Sequence, residues 1–481
     1  MAIYNTPGKY YFRLHHVRPR FKNDIESVLL FMASEISRFS KMDEQSFNEN
    51  LNSAIKRYPG NSSAVEKTIN NWRTEISSLF GLIKWDGDYR EPSAMAKELA
   101  DNEDLMQFFK LFLFKFQYPG GHLKSQEIAK MIEAGVCFKP VKYIIEVLLA
   151  GMKSENGHFG ITKAEVTHCI FNDLRVTRNH VSPQQTYELI SNNRQENYDY
   201  DCDGDVTRYA GDILDYMVIA GLLSRKANYK YYLNTSSAAE AIDIFIKDNN
   251  YYHDYDSFYE STKEILPSSI SPLRESWFNY VNDGIDKLDF STDILSFVDD
   301  GSSDEEKTAE QKEKSEFIND LLLMIRARMN SGEKVKTKVI GDAGESITIQ
   351  HEQMRLIKLG CNDLAKLVKK IPEQFAVGYD ISSFEGSGNM RRYIEVKTTV
   401  SYGKLHIYNF HMTPSEWSAA ETNGDNYYVY RLSISKGDIS LFVIKNPVKQ
   451  YKKDETIEIV PRDGVDVRYS EKSGVYEEIL A

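Results

Sequence analysis

Three charged residues near the carboxyl end of the chain have the types and spacing of a cation-binding site. They lie in the stretch GYDISSFEGSGNMRRYIEVKTT, where Asp380 follows one apolar run and Glu395 and Lys397 lie in the next. Side chains alternate between the two faces of a β-strand, so Glu395 and Lys397 share one face, while the neighbouring apolar residues face the core. The turn rich in Gly and Ser predicts a hairpin that brings Asp380 beside them.

Two carboxylates and a backbone carbonyl form a hard oxygen site of the kind that suits Mg²⁺, which also retains waters. Such an ion lowers the pKa of a bound water and neutralises charge on a phosphate, as phosphodiester hydrolysis requires. We therefore predict that Asp380 and Glu395 bind Mg²⁺. Lys397 is predicted to position the attacking water or to stabilise the developing charge. The alternative is a charged hairpin face without catalytic function.

A fourth acidic residue precedes this stretch in the sequence GDAGE, which places Glu345 at the start of a predicted helix. Glu352 follows two turns later and lies on the same side of that helix. We predict that Glu345 contributes a catalytic carboxylate through a water, although the helix dipole alone also favours Glu at this position. Glu352 is interpreted as an ordinary helix residue.

Four elements occur in a fixed order within residues 339–443. They are GDAGE (341–345), GYDI (378–381), YIEVKTT (393–399), and a helix with Glu416 and Trp417 that precedes YYVYR (427–431). Together they resemble the PD-(D/E)XK nuclease superfamily, and within it the Mrr-like and NO VEIN carboxy-terminal-like branch.

This resemblance implies the same roles for the four charged residues. Asp380 and Glu395 would be the metal ligands, Lys397 the catalytic lysine, and Glu345 the acidic residue of the first helix. Tyr379 stands where the superfamily motif has proline, and this departure leaves the neighbouring carboxylate in place.

The elements that position these residues are a helix followed by consecutive strands. A helix is predicted over residues 316–329, GDAGE begins another, and five β-rich runs follow, namely FAVGYDISSF, RRYIEVKTTV, KLHIYNFHM, NYYVYRLSI and ISLFVIKN. This order predicts an α/β PD-(D/E)XK nuclease domain over residues 317–481. Residues 297–316 are rich in Asp, Glu, Ser and Lys, a composition typical of an acidic linker.

Residues 1–296 are predicted to be a helix-rich, winged-helix-like half with regions at 1–120 and 121–296. Three helix-then-hairpin patterns resemble winged-helix modules. The first helix spans residues 65–79, starts at a capping box of Ser63 and Glu66, and precedes LIKWDGDYR. The second unit contains a capping box at Thr162 and Glu165. The third runs through DILDYMVIAGLL into SRKANYKYYLN.

Basic and amide side chains on this half are predicted to contact DNA phosphates or base edges. These residues are Lys67, Asn70, Asn71, Arg73, Arg18 and Arg20. A solvated helix face would explain the first four equally well. The half also shows a loose resemblance to the recognition halves of AlwI-like and BspD6I-like enzymes, around FKPVKYIIEVLL and DILDYMVIAGLL.

Composition indicates a folded, multidomain protein and is compatible with a DNA partner. The 481 residues carry a net charge of −12, but residues 283–316 alone hold twelve acidic and four basic residues, so the remaining chain is nearly balanced. The four cysteines lie too far apart in sequence for a metal knuckle. No apolar run predicts a membrane span or an export signal, so we expect a cytoplasmic protein with no membrane partner.

The resulting hypothesis is a Mg²⁺-dependent restriction endonuclease of type II character that cleaves double-stranded DNA. Because one such site cuts one strand, we expect a homodimer, formed transiently on the DNA. Two alternatives stay open. The first is a modification-dependent endonuclease that holds a flipped methylated base. The second is a DNA-binding regulator whose nuclease-like fold is only a scaffold.

Overall fold

The computed structural model describes residues 2–19, 21–202, 206–261, 264–288, 290, 340–386, 388, 390–405 and 409–480. The chain divides into two compact units, one of residues 1–101 and 105–290, the other of residues 102–104 and 291–481. The predicted acidic linker at 297–316 and the predicted helix at 316–329 lie outside the described residues. Among the described residues, no helix is both long and apolar enough to cross a membrane.

Helices dominate the first unit. They are α1 (Ile25–Ile36), α2 (Glu44–Arg57), α3 (Glu66–Thr74), α4 (Ala94–Asn102), α5 (Leu105–Lys115), α6 (Ser125–Glu133), α7 (Pro140–Ser154), α8 (Lys163–Val166), α9 (Leu174–Thr177), α10 (Pro183–Gln195), α11 (Arg208–Ile219), α12 (Ala239–Lys247), α13 (Asp256–Tyr259), α14 (Pro267–Ile270) and α15 (Arg274–Asn282). Its strands are β1 (Ile3–Tyr4), β2 (Met42–Asp43), β3 (Ile83–Asp86), β4 (Tyr89–Pro92), β5 (Asp199–Tyr200), β6 (Leu223–Arg225) and β7 (Tyr231–Leu233).

Two of the predicted helix-then-hairpin patterns form in this unit. Helix α3 continues as a π-helical turn over Glu75–Leu79 and leads into the antiparallel pair β3 and β4, while α11 leads into β6 and β7. The capping box predicted at Thr162 and Glu165 is present at α8. The one predicted at Ser63 and Glu66 is wrong, because the helix starts only at Glu66 and Val65 occupies the N-cap.

The second unit is a mixed sheet with helices on both faces. Its helices are α16 (Ile340–Lys358), α17 (Asn362–Ala365), α18 (Pro414–Asn423) and α19 (Pro447–Lys449). Its strands are β8 (Lys369–Lys370), β9 (Ile381–Phe384), β10 (Arg391–Val400), β11 (Asn409–Met412), β12 (Tyr427–Ser435), β13 (Asp438–Lys445), β14 (Ile457–Arg462), β15 (Gly464–Tyr469) and β16 (Val475–Glu477).

The six-stranded sheet has the order β16-β13-β12-β10-β9-β8, and β11, β15 and β14 form a smaller antiparallel sheet. Strands β10 and β12 run parallel, so the chain between them crosses over through α18. An apolar core that includes Phe410, Ala420, Val429 and Phe442 fills the space on the α18 side.

A buried polar network joins α16 to the opposite face of the sheet. The carboxylate of Glu352 is fully buried and accepts hydrogen bonds from Arg355 at 2.7 and 2.8 Å, from the Ser383 hydroxyl at 2.6 Å and from the Tyr430 hydroxyl at 2.7 Å. Arg392 donates to Tyr430 and lies 3.4 Å from Glu352. Burial opposes ionisation of Glu352, but these partners outweigh it and lower its pKa. The interpretation of Glu352 as an ordinary helix residue is therefore wrong.

Candidate active site

Asp380 is held at the start of β9 by main-chain contacts. Gly378 precedes it with a φ of +78°, and a Cβ there would come within 2.3 Å of the Ser415 carbonyl, so only glycine fits. The Asp380 amide donates to the Ile394 carbonyl at 2.9 Å, and its Oδ2 accepts from the Val396 amide at 2.8 Å. These bonds fix the carboxylate of Asp380 against β10.

Glu395 and Lys397 lie together on the α18 face of β10, as the alternation of side chains predicts. The Nζ of Lys397 is 2.8 Å from Oε1 of Glu395 and 2.8 Å from Oε2 of Glu416. Burial disfavours the ammonium, but the two carboxylates outweigh it and raise the pKa of Lys397. Lys397 is therefore a cation at neutral pH and cannot serve as a general base there.

Glu416 reaches Lys397 from the first turn of α18. Thr413 and Glu416 form a capping box, in which the Thr413 hydroxyl accepts from the Glu416 amide and the Glu416 carboxylate accepts from the Thr413 amide. Burial would raise the pKa of Glu416, but Lys397 and the Thr413 amide lower it overall. The capping box thus orients a carboxylate that also holds the lysine.

Glu345 approaches the same region from the first turns of α16. Its Oε2 lies 2.6 Å from the Nζ of Lys370 on β8, and this ammonium also binds Asp342 at 2.8 Å. Burial raises the pKa of Glu345 to about 7, and the negative charge of Asp380 adds to the rise, although Lys370 opposes it. Helix α16 can approach β10 this closely because residue 344 is glycine. A Cβ at this position would lie 1.9 Å from Oγ1 of Thr398 on β10.

The electrostatics of this cluster fit a divalent cation bound by oxygen. Burial raises the pKa of Asp380 and, further, that of Glu395, and the charge of Asp380 adds to the rise at Glu395 and at Glu345. Among the described residues, no group of three or more His, Cys, Asp or Glu side chains is placed to hold a metal. Mg²⁺ is usually coordinated by one or two protein carboxylates and by several waters, so two carboxylates with a main-chain oxygen are enough protein ligands for it.

The structure describes five of the six predicted DNA-binding residues, and these differ in exposure and in their partners. Lys67 is exposed on α3. Arg73, in contrast, donates to the side-chain oxygens of Asn70 at 3.0 Å and of Asn52 at 3.4 Å. Asn71 is half-buried on the same helix.

Arg18, whose side chain is 38% exposed, forms an ion pair with a buried carboxylate of the first unit. Its Nε is 3.3 Å from Oδ2 of Asp212, whose side chain is 1% exposed. A buried carboxylate without a cationic partner lowers the stability of the folded state, so Arg18 stabilises the fold of this unit. Arg20 lies outside the described residues.

Two site residues gave little or no signal in the sequence. The sequence predicts Glu416 only as part of a helix. Its Thr-x-x-Glu spacing with Thr413 is nevertheless a capping signal, which places Glu416 in the first turn of that helix. Lys370 gave no signal, because β8 has only two residues and its contact with Glu345 spans two separate elements.

The family model described as the N-terminal part of restriction endonuclease BpuJI matches residues 4–278, more than half of the chain. The chain belongs to this restriction endonuclease family. A second model, described as the C-terminal part of protein NO VEIN, matches residues 344–444 of this BpuJI-family protein and includes every residue of the candidate site from Glu345 to Glu416.

Several solved chains are similar to the BpuJI-family chain. One of them is titled as pyrene- and phenanthrene-modified DNA in complex with the BpuJ1 endonuclease binding domain. The match has a TM-score of 0.50 and 23% identity, and covers 58% of this chain and 100% of that chain. At this identity the likeness shows the fold alone. No curated protein matches the chain.

Proposed function

We propose that this protein is a Mg²⁺-dependent endonuclease that hydrolyses phosphodiester bonds of double-stranded DNA with a PD-(D/E)XK site. The observation that carries the proposal is the placement of Asp380, which directly precedes β9, against the segment of β10 that carries Glu395 and Lys397. Membership of a restriction endonuclease family and the match of the second unit to the NO VEIN C-terminal model support it.

Asp380 and Glu395 would hold the cation. Burial raises the pKa of both carboxyl groups, and a bound cation would favour their ionised form. Bound there, Mg²⁺ would activate a water and neutralise charge on the phosphate. The ammonium of Lys397 lies beside Glu395, where it stabilises negative charge and orients an attacking water by hydrogen bonding. Glu345 would act through a water, with its position set by Lys370.

The first unit would read the DNA sequence. Its segment of α11, β6 and β7 has the order of a winged helix, in which a helix enters the major groove and a hairpin contacts the backbone. The solved structure that it resembles contains a DNA-binding domain of an endonuclease. Because double-strand cleavage needs two sites, we propose that two copies meet on the DNA as a transient homodimer.

The test is plasmid cleavage by the full chain, with Mg²⁺ or with EDTA. We expect Mg²⁺-dependent nicking and linearisation, and a loss of at least about 100-fold in Asp380→Asn and in Lys397→Ala, the scale of removing one catalytic group. Lys452→Ala is the matched control, since Lys452 forms an exposed ion pair with Glu421. Equal cleavage by all four proteins, or none by the wild type, would overturn the proposal, and DNA binding without cleavage would favour a regulator.

A further inference from the structure

A second cluster of candidate DNA contacts lies on the hairpin of β6 and β7 in the first unit. Its tip carries Arg225, Lys226 and Lys230 together with Tyr229, and we refer to these four residues as the basic tip. Arg225, Lys226 and Tyr229 are exposed, and the Tyr229 side chain is the most exposed large hydrophobic group described, at 71%. From Leu222 to Ala239 the sequence has no acidic residue.

The backbone of this tip puts tyrosine where glycine is normally preferred. A three-residue loop is closed by the Lys226 amide, which donates to the Lys230 carbonyl at 3.1 Å, and by the Tyr229 amide, which donates to the Lys226 carbonyl at 3.0 Å. Tyr229 is the last loop residue, with a φ of +61°. Three-residue hairpin loops place Gly in this left-handed position, because side chains are strained there.

A bulky residue that is both strained and exposed contributes little to folding. The Tyr229 ring is neither buried nor a donor or acceptor of a hydrogen bond to any described side chain. Strained residues of this kind cluster where a ligand is bound. The ring is therefore available to contact a ligand.

The cations of the basic tip are free to bind an anion. Arg225 lies 5.4 Å from the centre of the Tyr229 ring, and Lys226 lies 4.8 Å from the centre of the Tyr232 ring. Within the described part of the chain, none of Arg225, Lys226 and Lys230 forms an ion pair with a carboxylate. Arg225 and Lys226 are thus positioned over aromatic rings and keep a positive charge that no described carboxylate neutralises.

The hairpin of β3 and β4 in the same unit has the opposite character. Its tip carries Asp86 and Asp88, and its cations are already paired, Lys84 with Glu91 at 3.4 Å and Arg90 with Glu44 at 2.9 Å. A phosphate would be repelled from the acidic residues of this tip. The two hairpins can therefore serve as test and control in one protein.

We propose that the basic tip binds the sugar-phosphate backbone of duplex DNA, with its three cations on phosphates and the Tyr229 ring against an adjacent sugar or base edge. This inference rests on the proposed function, in which the first unit reads DNA. It adds a surface that holds the backbone to the DNA contacts predicted on α3.

The test measures duplex binding by the full chain over a range of salt concentrations. Neutralising the tip with Arg225→Gln, Lys226→Gln and Lys230→Gln together removes three phosphate contacts, so the slope of log K against log salt should become less steep by about 3. Lys84→Gln, the control, should leave the slope unchanged. A triple variant with the wild-type slope, in a protein that binds duplex DNA, overturns this inference and leaves the nuclease proposal standing.

Tyr229→Gly separates binding from folding. Glycine relieves the left-handed backbone, so the melting temperature should stay the same or rise. Duplex binding should nevertheless weaken by about fivefold, which corresponds to about 1 kcal/mol. Unchanged affinity would overturn the role assigned to the ring, and so would a loss of affinity that accompanies a lower melting temperature. If the wild type binds no duplex, this inference and the DNA-reading part of the proposed function both fail.

Discussion

Gly344→Ala should destabilise the second unit and disturb the candidate site, although Ala is the better helix former. Helix propensity alone would favour the change by up to about 1 kcal/mol. At this position, however, the added Cβ would lie 1.9 Å from Oγ1 and 2.9 Å from Cβ of Thr398, so α16 must move away from β10. Overpacking costs about 1–3 kcal/mol, and the short contact places this change at the upper end, so the net loss after the gain in helix propensity should be about 2 kcal/mol.

Two further variants make this prediction specific. Gly341→Ala lies one turn earlier on α16, where an added Cβ meets nothing within 4 Å, so it should be neutral or stabilising. Thr398→Ala removes a hydroxyl that is buried without a hydrogen-bond partner among the described residues, so it should cost little alone. Combined with Gly344→Ala it should recover part of the loss, with a coupling of about 1 kcal/mol.

The assay is urea unfolding of the full chain, with plasmid cleavage measured on the same samples. Because Glu345 follows Gly344 directly, a shifted helix also moves the Glu345 carboxylate relative to Lys370, and cleavage should fall. The reasoning is refuted if Gly344→Ala is as stable as Gly341→Ala, or if Thr398→Ala gives no recovery.

Three further predictions concern residues that support the two units. Glu416→Gln leaves Lys397 with one carboxylate partner, so the cleavage rate should fall about tenfold at unchanged KM, while Glu421→Gln on the exposed side of α18 should have no effect. Glu352→Ala removes the carboxylate that pairs with buried arginine and tyrosine side chains, so it should lower the free energy of unfolding by about 3–5 kcal/mol in a urea titration. A loss of less than about 1 kcal/mol would contradict this expectation. Burial lowers the pKa of His122 to about 3, so the unfolded chain binds a proton that the folded chain rejects. The contribution of His122 to stability should therefore be constant above pH 6.5 and should become less favourable below it by about 1.4 kcal/mol per unit, so the difference in stability between wild type and His122→Phe should change by this slope.

Local sequence patterns predicted the elements better than they predicted the partners of side chains. The strand expected at RRYIEVKTTV is β10, and the strands expected at NYYVYRLSI and ISLFVIKN are β12 and β13 within one residue at each end. The alternation of side chains along β10 also predicted that Glu395 and Lys397 lie on the same face of the strand. These features depend on residues that are close in sequence.

Contacts between distant segments were not predictable in the same way. Glu352 on α16 has the sequence context of an ordinary helix residue, since its partner Tyr430 lies on β12 and nothing in the sequence pairs the two. The ion pair of Arg18 with the buried Asp212 was not predicted, because it depends on the packing of the first unit, and contact of Arg18 with DNA stays a prediction. Lys370 gave no signal for the same reason. Charge and exposure of such residues follow from tertiary packing, which local periodicity does not specify.

The most direct test of the central claim follows binding and cleavage of one short duplex in the same sample, with wild-type protein and with Glu395→Gln. The substitution keeps the size of the side chain but removes one of the two charges that would hold Mg²⁺ beside Lys397. We expect the variant to bind the duplex as tightly as the wild type and to cleave it at least about 100-fold more slowly in Mg²⁺. Equal cleavage by the two proteins would contradict the account.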